Sequence, residues 1–182
     1  MSTKVPGQIT NTVFEGLFVK ALTPDLALRA KLKHIGYDID HQLATYPAAV
    51  WDEALRVTAA YIYPNLADRT GMRKLGEVFM VGFFETFVGR LIGVALPLIG
   101  GDGLLKRAPR YWASGSVVAK LETTREAPGR WRLKMADPTP HPDFDAGVFE
   151  EALRRSGETE GTMEILERRM DGFVALIRWT SK

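Results

Sequence analysis

The sequence predicts an α+β fold in which a helical N-terminal half, with a long central helix, packs on an antiparallel sheet. Apolar residues recur at helical spacing through most of residues 24–101, whereas residues 116–180 contain two pairs of strand-like segments, each joined by a turn. No linker separates the two halves. We therefore expect one domain over residues 1–182, with residues 1–11 as a flexible tail.

The composition is that of an ordinary globular protein. Hydrophobic residues make up 46% and charged residues 25% of the chain, and the formal net charge is +2. The sequence has no cysteine, which excludes disulfides, thiolate catalysis and cysteine-ligated metal sites. The first residues, MSTKVPGQITNT, lack the apolar core of a secretory signal. We therefore expect a cytoplasmic protein.

The first elements are a strand and two helices. Residues 13–22, VFEGLFVKAL, are rich in strand formers at their centre and predict an N-terminal strand. A helix begins near Pro24 and ends at Gly36, and a second helix runs between Pro47 and Pro64.

The most apolar stretch, LGEVFMVGFFETFVGRLIGVALPLIGG, raises the question of a membrane span. A spanning helix needs about 20 apolar residues, and the uninterrupted run over residues 91–101 is too short. A longer span would bring Arg90 and Glu85 into the bilayer, where charges are unfavourable. We therefore predict a largely buried central helix over residues 75–96 and no membrane span.

One face of this helix carries the first candidate site. At 100° per residue Gly82, Glu85 and Gly89 form a stripe, beside which Phe83 projects. The glycines allow either another backbone or a ligand to approach closely. If Glu85 is buried without a partner, its pKa rises and it can act as an acid or base; an arginine partner would instead keep it ionised.

A second candidate site lies where the helical half joins the sheet. Arg110, Tyr111 and Trp112 place a cation beside two aromatic rings on a predicted loop. Aromatic and arginine side chains are enriched at binding hot spots, so we predict that this loop contributes to a ligand or partner site. The alternative is that Trp112 anchors the loop in the core.

The C-terminal sheet is predicted mainly from two hairpins, with the N-terminal strand added to them. Segments 116–125 and 130–135 are separated by Glu-Ala-Pro-Gly, and segments 162–170 and 173–180 by Asp-Gly. Between the hairpins, the apolar positions of residues 143–156 follow helical spacing.

Basic residues on the first hairpin give an alternative function. Arg130, Arg132 and Lys134 alternate with Trp131, Leu133 and Met135, which would make one strand face basic. Arginines among aromatic residues can bind phosphates or nucleic acid. Strand alternation with a solvated outer face explains the same pattern, and it is the favoured interpretation.

The order of several segments resembles a known family. VFEGLFVKAL, YPAAVWDEAL, LGEVFMVGFFETFVGR, RAPRYWASGS, HPDFDAGVFEEALRRSG and FVALIRW are similar to a paralogous family of uncharacterised proteins from myxobacteria. More distantly, the helix through Gly147 and the terminal hairpin resemble the ligand-binding superfamily of haem–nitric oxide sensors, vinyl-reductase-type domains and trafficking-complex subunits. This resemblance implies a ligand-binding fold.

The haem branch of that superfamily uses a proximal histidine and a Tyr-x-Ser-x-Arg motif for the propionates. In this sequence Tyr111 and Ser114 have the wrong spacing and no arginine follows, and the three histidines, His34, His41 and His141, all lie outside the long helix. We therefore predict no cofactor and disfavour haem.

Two groups of histidine and aspartate residues were considered as metal sites. Neither has a recognised ligand spacing, so we predict no metal and assign these residues to turns and a helix start. The groups are His34, Asp38, Asp40 and His41, and His141, Asp143 and Asp145.

The sequence contains no motif that specifies a reaction. The favoured interpretation is a non-catalytic sensory or adaptor domain that binds a small apolar molecule or a protein partner between the long helix and the sheet. The alternatives are a nucleic-acid or phosphate-ligand binder and an enzyme that uses Glu85. Association into homo-oligomers is left open.

Overall fold

The computed structural model describes residues 7–116 and 118–180 of the chain. Within them, α-helices dominate the first two thirds and an antiparallel four-stranded sheet with one helix forms the last third. This α+β architecture confirms the predicted fold class.

A small separate sheet holds the start of the chain. β1 (Gln8–Thr10) pairs antiparallel with β2 (Thr45–Pro47). The predicted tail over residues 1–11 is therefore wrong at its described end, while residues 1–6 lie outside the described residues. The N-terminal strand also does not extend the main sheet, which consists of the two C-terminal hairpins alone.

The segment after β1 is helical, so the predicted strand over residues 13–22 is wrong. α1 (Asn11–Phe14) continues into a π-helix (Glu15–Ala21). The strand formers here are aromatic and branched residues whose buried positions follow a helical rather than an alternating period. The side chains buried on its inner face are those of Phe14, Leu17 and Phe18.

The two helices predicted next are confirmed. α2 (Leu26–His34) begins after Asp25, whose carboxylate accepts a hydrogen bond from the Leu28 amide at 2.9 Å. α3 (Ala48–Ile62) follows directly after β2 and carries Trp51 on its inner half.

The predicted single central helix over residues 75–96 is wrong, because the helix is interrupted there by a turn. α4 (Asp68–Phe83) ends in a turn, and α5 (Phe87–Gly115) begins after Thr86. The Thr86 hydroxyl donates to the Phe83 carbonyl at 2.7 Å and accepts from the Gly89 amide at 3.0 Å. A threonine cap thus stops one helix and starts the next within an apolar run.

α5 also changes direction at Gly100, which has φ 63° and ψ −174°. Among the described residues it is the one helix long and apolar enough to cross a membrane by length and composition. The kink limits its apolar first part to residues 87–99, about 20 Å at 1.5 Å per residue, against a hydrocarbon core of about 30 Å. After the kink the helix continues to Gly115, so Arg110, Tyr111 and Trp112 lie on a helix and not on the predicted loop.

The C-terminal third contains four antiparallel strands in the order β3-β4-β6-β5, with a helix inserted between the hairpins. Each hairpin pairs as predicted, and β4 joins β6 at the centre. These elements are β3 (Lys120–Ala127), β4 (Arg130–Ala136), α6 (Pro142–Arg155), β5 (Thr162–Arg169) and β6 (Gly172–Arg178).

Glycines let α4 and α6 approach to backbone contact. A Cβ added at Gly76 would lie 2.0 Å from the Phe144 carbonyl oxygen, and one added at Gly147 would lie 1.9 Å from the Arg73 carbonyl oxygen. No larger residue fits at either glycine without separating the helices. This contact fixes the relative position of two of the helices that line the site described next.

Candidate functional site

A cavity of about 160 Å³ lies between the helices and the start of the sheet. Its walls come from α3, α4 and α6, with the end of α5, the residues before β3 and the loop between β4 and α6 closing it. An engineered cavity of about 150 Å³ binds benzene, so this volume suits a ligand of about one ring.

The wall of the cavity is mainly aromatic. The ring of Trp51 lies with its centroid 5.9 Å from that of Phe79 and 5.9 Å from that of Phe144, edge to face in both cases. Phe79 and Phe144 are 5.4 Å apart. Tilted and edge-to-face contacts are the preferred arrangements of aromatic pairs. Further aromatic lining comes from Phe83, Tyr111 and Trp112.

One end of the cavity is polar, and His141 is part of it. Its imidazole Nε2 lies 2.8 Å from Asp52 Oδ1, yet this buried nitrogen has no partner of good hydrogen-bond geometry among the described residues. Burial lowers the pKa of His141, and the Asp52 carboxylate opposes that effect. His141 therefore places an imidazole nitrogen at the edge of an apolar space.

Asp145 is the second polar group at this end. It is only 6% exposed and lines the cavity, and its carboxyl group makes no hydrogen bond or ion pair with another described residue. Burial raises the pKa of Asp145 well above its ordinary value, and the charges of Asp137 and Asp143 raise it further. A buried carboxyl group without a partner is unusual, because its desolvation is not compensated.

The remaining polar lining adds acceptors and no cation. The Asp137 carboxylate accepts from the Thr139 amide at 2.9 Å and lies beside the cavity. Within the described parts of the chain, no lysine or arginine lines the cavity. The polar end therefore has a negative or neutral character.

Three of the residues predicted as site residues line this cavity: Phe83, Tyr111 and Trp112. The ring of Trp112 also stacks on Phe149 at 5.6 Å with an interplanar angle of 3°. Trp112 thus packs in the core and also lines the cavity. Both predicted roles, core anchor and site residue, are compatible with this position.

The predicted glycines serve helix contact instead. A Cβ at Gly82 would lie 2.1 Å from the Gly16 carbonyl oxygen, and one at Gly89 would lie 1.8 Å from the Phe83 carbonyl oxygen. Both glycines thus allow another backbone, and not a ligand, to approach.

Glu85 and Arg110 are both exposed. The Glu85 carboxylate lies 3.4 Å from Arg90 on the surface, so the burial on which its acid–base role depended is absent. The enzyme alternative that uses Glu85 loses that premise.

Sequence reasoning missed the polar end and half of the aromatic wall. Trp51, Phe79 and Phe144 occupy ordinary apolar helix positions, which look the same whether they face a core or a cavity. His141 and Asp145 stand in HPDFDAG, which was assigned to a turn and a helix start. A histidine and an aspartate four residues apart at that helix start were the available signal.

The two segments that contain histidine and aspartate make turn and ion-pair contacts. No group of three or more histidine, aspartate or glutamate side chains with metal-ligand geometry occurs within residues 7–116 and 118–180. In the first segment Asp38 pairs with Lys33 at 2.8 Å and accepts from the Asp40 amide at 3.0 Å, as expected for a turn. In the second, Asp143 makes a two-bond ion pair with Arg168.

The basic face of β4 is neutralised in part. Arg130 and Arg132 both bind Glu126, at 3.0 Å and 2.6 Å. The strand alternates exposed basic and buried apolar residues, as a solvated outer face does. This pairing weakens the nucleic-acid alternative.

A separate surface feature lies on the first part of α5. Four large apolar side chains share one face and are 64% to 86% exposed. Their spacing of four, three and four residues is that of a coiled-coil seam. We call this face the apolar stripe; it consists of Phe87, Leu91, Val94 and Leu98.

The chain matches the model of a known protein family. A family model described as "Protein of unknown function (DUF2378)" matches residues 8–180. No curated protein matches the chain. The resemblance to a family of uncharacterised proteins is thereby confirmed, without any finding on the myxobacterial source.

Solved structures of H-NOX domains share the fold at low identity. An H-NOX protein from S. oneidensis in the Fe(II)NO ligation state has 10% identity and a TM-score of 0.68, covering 95% of this chain and 100% of its own. An oxygen-binding H-NOX domain related to soluble guanylate cyclases, in its oxygen complex, has 14% identity and a TM-score of 0.67, covering 94% and 93%. A structure from work on heme redox potential and porphyrin distortion has 15% identity and a TM-score of 0.69, with the same coverage.

The expectation that disfavoured haem is wrong. It relied on motif spacing and on the positions of the histidines, whereas the fold is shared by H-NOX structures, one of which comes from work on heme redox potential.

The cavity suits haem in one respect, since His141 brings an imidazole nitrogen to an apolar space. At about 160 Å³ it is smaller than the roughly 300–1,000 Å³ of most cofactor sites, so a porphyrin would have to displace wall residues such as Trp51 and Phe79.

Proposed function

The chain belongs to the family of unknown function DUF2378, and from this premise we propose that it is a non-catalytic sensory domain that binds a small, largely apolar ligand. The observation that carries the proposal is the aromatic cavity with the Asp145 carboxyl group at one end, buried and without a partner among the described residues, beside the imidazole of His141. A buried carboxyl group without a partner is unfavourable in a packed core. Cytoplasm as the location belongs to the same proposal.

The position of the cavity suits a sensor. Its walls come from α3, α4, α6 and the end of α5, so a ligand would contact four helices at once. Ligand binding would favour the arrangement of these helices that fits the ligand best. α5 leads from the cavity to the exposed apolar stripe, which offers a route from ligand to surface.

Haem is one candidate for the ligand. His141 is the lining residue that could bind its iron, and bound haem would supply a metal that takes a further small ligand.

The proposal is tested on freshly purified protein produced with a haem precursor in the medium. Native mass spectrometry should show a retained small molecule, or titration of the purified protein with benzyl alcohol should show saturable binding. A Soret absorption band that is lost in His141→Ala would identify haem as the ligand. A chain that retains no molecule and binds neither haem nor benzyl alcohol would contradict the proposal.

A second candidate function, docking to a second copy of this chain, is favoured by the apolar stripe. The heptad-like spacing would let two stripes pack about a two-fold axis. Burying eight such side chains removes roughly 500–1,000 Å² from water, below the ~1,200 Å² of stable interfaces. We therefore expect a weak dimer that forms only at high concentration.

Analytical ultracentrifugation of the protein across a wide concentration range tests whether this dimer forms. The wild-type protein should shift towards dimer, Leu91→Ser should remain monomeric, and Leu26→Ser, at an exposed leucine on α2, should behave as the wild type. A wild-type monomer at every concentration would contradict the dimer. If the protein does not self-associate and instead floats with lipid vesicles, the apolar stripe binds a membrane surface.

A further inference from the structure

The polar end of the cavity has an unusual charge balance. Asp145 on α6 and Asp137 before α6 both line it, and Asp52 on α3 lies behind His141. The nearby guanidinium group of Arg56 is already paired with Asp52 and Glu53. No lining residue among those described supplies a positive charge.

We propose, on the basis of the function proposed above, that the ligand is a small aromatic or alkyl amine. Its ammonium group would bind the carboxylate of Asp145, and its hydrocarbon part would lie against the rings of Trp51, Phe79 and Phe144. Asp145 carries the argument because it is 6% exposed, faces the cavity and has no partner within the described residues.

An ammonium group compensates the negative charges at the polar end of the cavity better than other polar groups do. Asp145 faces the like charges of Asp137 and Asp143, with Asp143 already bound by Arg168. A cation would compensate these charges, whereas a carboxylate or phosphate ligand would add to the repulsion. The faces of Trp51 and the phenylalanines attract the same cation through their π electrons.

The size of the cavity limits the amine. About 160 Å³ is close to the ~150 Å³ that holds benzene in an apolar cavity, so one ring with a short aminomethyl arm fits. Benzylamine is therefore a suitable probe, and benzyl alcohol is its neutral counterpart of the same shape.

Binding of the amine should release protons. Burial raises the pKa of Asp145, so much of it is protonated in the free protein at a pH below that raised value. The ammonium ion binds the ionised carboxylate, so one proton leaves Asp145 for each amine bound, and nothing else changes covalently. His141 and Asp137 also face the site, and their ionisation adds a smaller dependence. Affinity for benzylamine should therefore rise with pH, by up to about tenfold per pH unit below the pKa of Asp145.

Isothermal titration of the full chain tests the inference. Benzylamine should bind at least about tenfold more tightly than benzyl alcohol, a difference of about 1.4 kcal/mol. Asp145→Asn should remove that preference and leave benzyl alcohol within about twofold of its wild-type affinity. Glu160→Gln, which removes one exposed carboxylate outside the cavity lining, should change the affinity for neither ligand.

The outcomes separate this inference from the proposed function. Equal or tighter binding of benzyl alcohol, or tight binding of haem with no binding of benzylamine, would overturn the amine and retain a ligand-binding cavity. Binding of none of the three would overturn both proposals. If Asp145→Asn does not fold, titration of the wild type in two buffers of different ionisation enthalpy measures the proton released, and no release below the raised pKa would contradict the inference.

Discussion

Gly147 of α6 and Arg73 of α4 are in backbone contact: a Cβ added at Gly147 would lie 1.9 Å from the Arg73 carbonyl oxygen. Gly76 meets the Phe144 carbonyl oxygen in the same way, at 2.0 Å. The two helices carry Phe79 and Phe144 into the cavity. Contact between these backbones therefore sets the width of the proposed ligand site.

Gly147→Ala should lower the free energy of unfolding by about 1–3 kcal/mol, because the added methyl group must push the helices apart. Chemical denaturation measures the change. Gly71→Ala is a matched control on α4, since its Cβ would lie 3.4 Å from the Tyr63 side chain, an ordinary contact, and alanine favours the helix. A fall of equal size in both variants would contradict the close-contact explanation.

Gly89→Leu should also destabilise the protein, by at least about 1–3 kcal/mol. A Cβ there would lie 1.8 Å from the Phe83 carbonyl oxygen, so a larger side chain must open the turn between α4 and α5. Val94→Leu, at an exposed position of α5, should leave the unfolding midpoint unchanged. An unchanged midpoint in Gly89→Leu would show that the turn can relax.

Asp145 should make stability fall as the pH rises. Its folded-state pKa lies well above 3.8, so the unfolded chain loses this proton first and gains stability relative to the fold. The contribution is full below the unfolded value and is lost as the pH rises through the raised folded value. Urea unfolding from about pH 4 to about pH 8 should show this decline in the wild type and not in Asp145→Asn.

His141 acts in the opposite direction, since its lowered pKa removes stability as the pH falls below about 6.5. Because the histidine is present in both proteins, the difference between wild type and Asp145→Asn isolates the aspartate. Parallel pH profiles would mean that Asp145 is not buried as described.

Arg73→Met should lower stability by about 1–3 kcal/mol, because the guanidinium group joins three elements. Arg73 binds the Glu150 carboxylate on α6 and donates to the Met163 carbonyl on β5 at 3.0 Å, and Glu150 is largely buried. Arg169→Met is the control, since its pair with Glu167 is exposed on both sides and should contribute less than about 1 kcal/mol. Equal losses of stability in the two variants would show that the Arg73–Glu150 pair contributes no more than an exposed pair.

The C-terminal half could be predicted from sequence because its signals are local. Asp171-Gly172 specifies a two-residue turn, and the alternation of β4 is visible directly. The strand predicted over residues 13–22 failed because strand-forming residue types were weighed above the helical spacing of Phe14 and Leu17.

The cavity could be predicted only in part, because it depends on tertiary contacts. Tyr111 and Trp112 stood out by composition, whereas Trp51 and Phe79 resemble core residues in any helix. The unpaired state of Asp145 depends on which groups α3 and the loop before α6 bring near it, and no sequence pattern specifies that.

Filling the cavity tests the central claim most directly. Val148 lines the cavity from α6, and Val148→Phe would fill part of its 160 Å³ with a ring. Titration of wild type with benzyl alcohol should show one saturable site, and Val148→Phe, verified as folded by its cooperative thermal transition, should bind at least about tenfold more weakly. Equal binding to both proteins, or a wild type that binds none of benzyl alcohol, benzylamine and haem, would contradict a ligand site in this cavity.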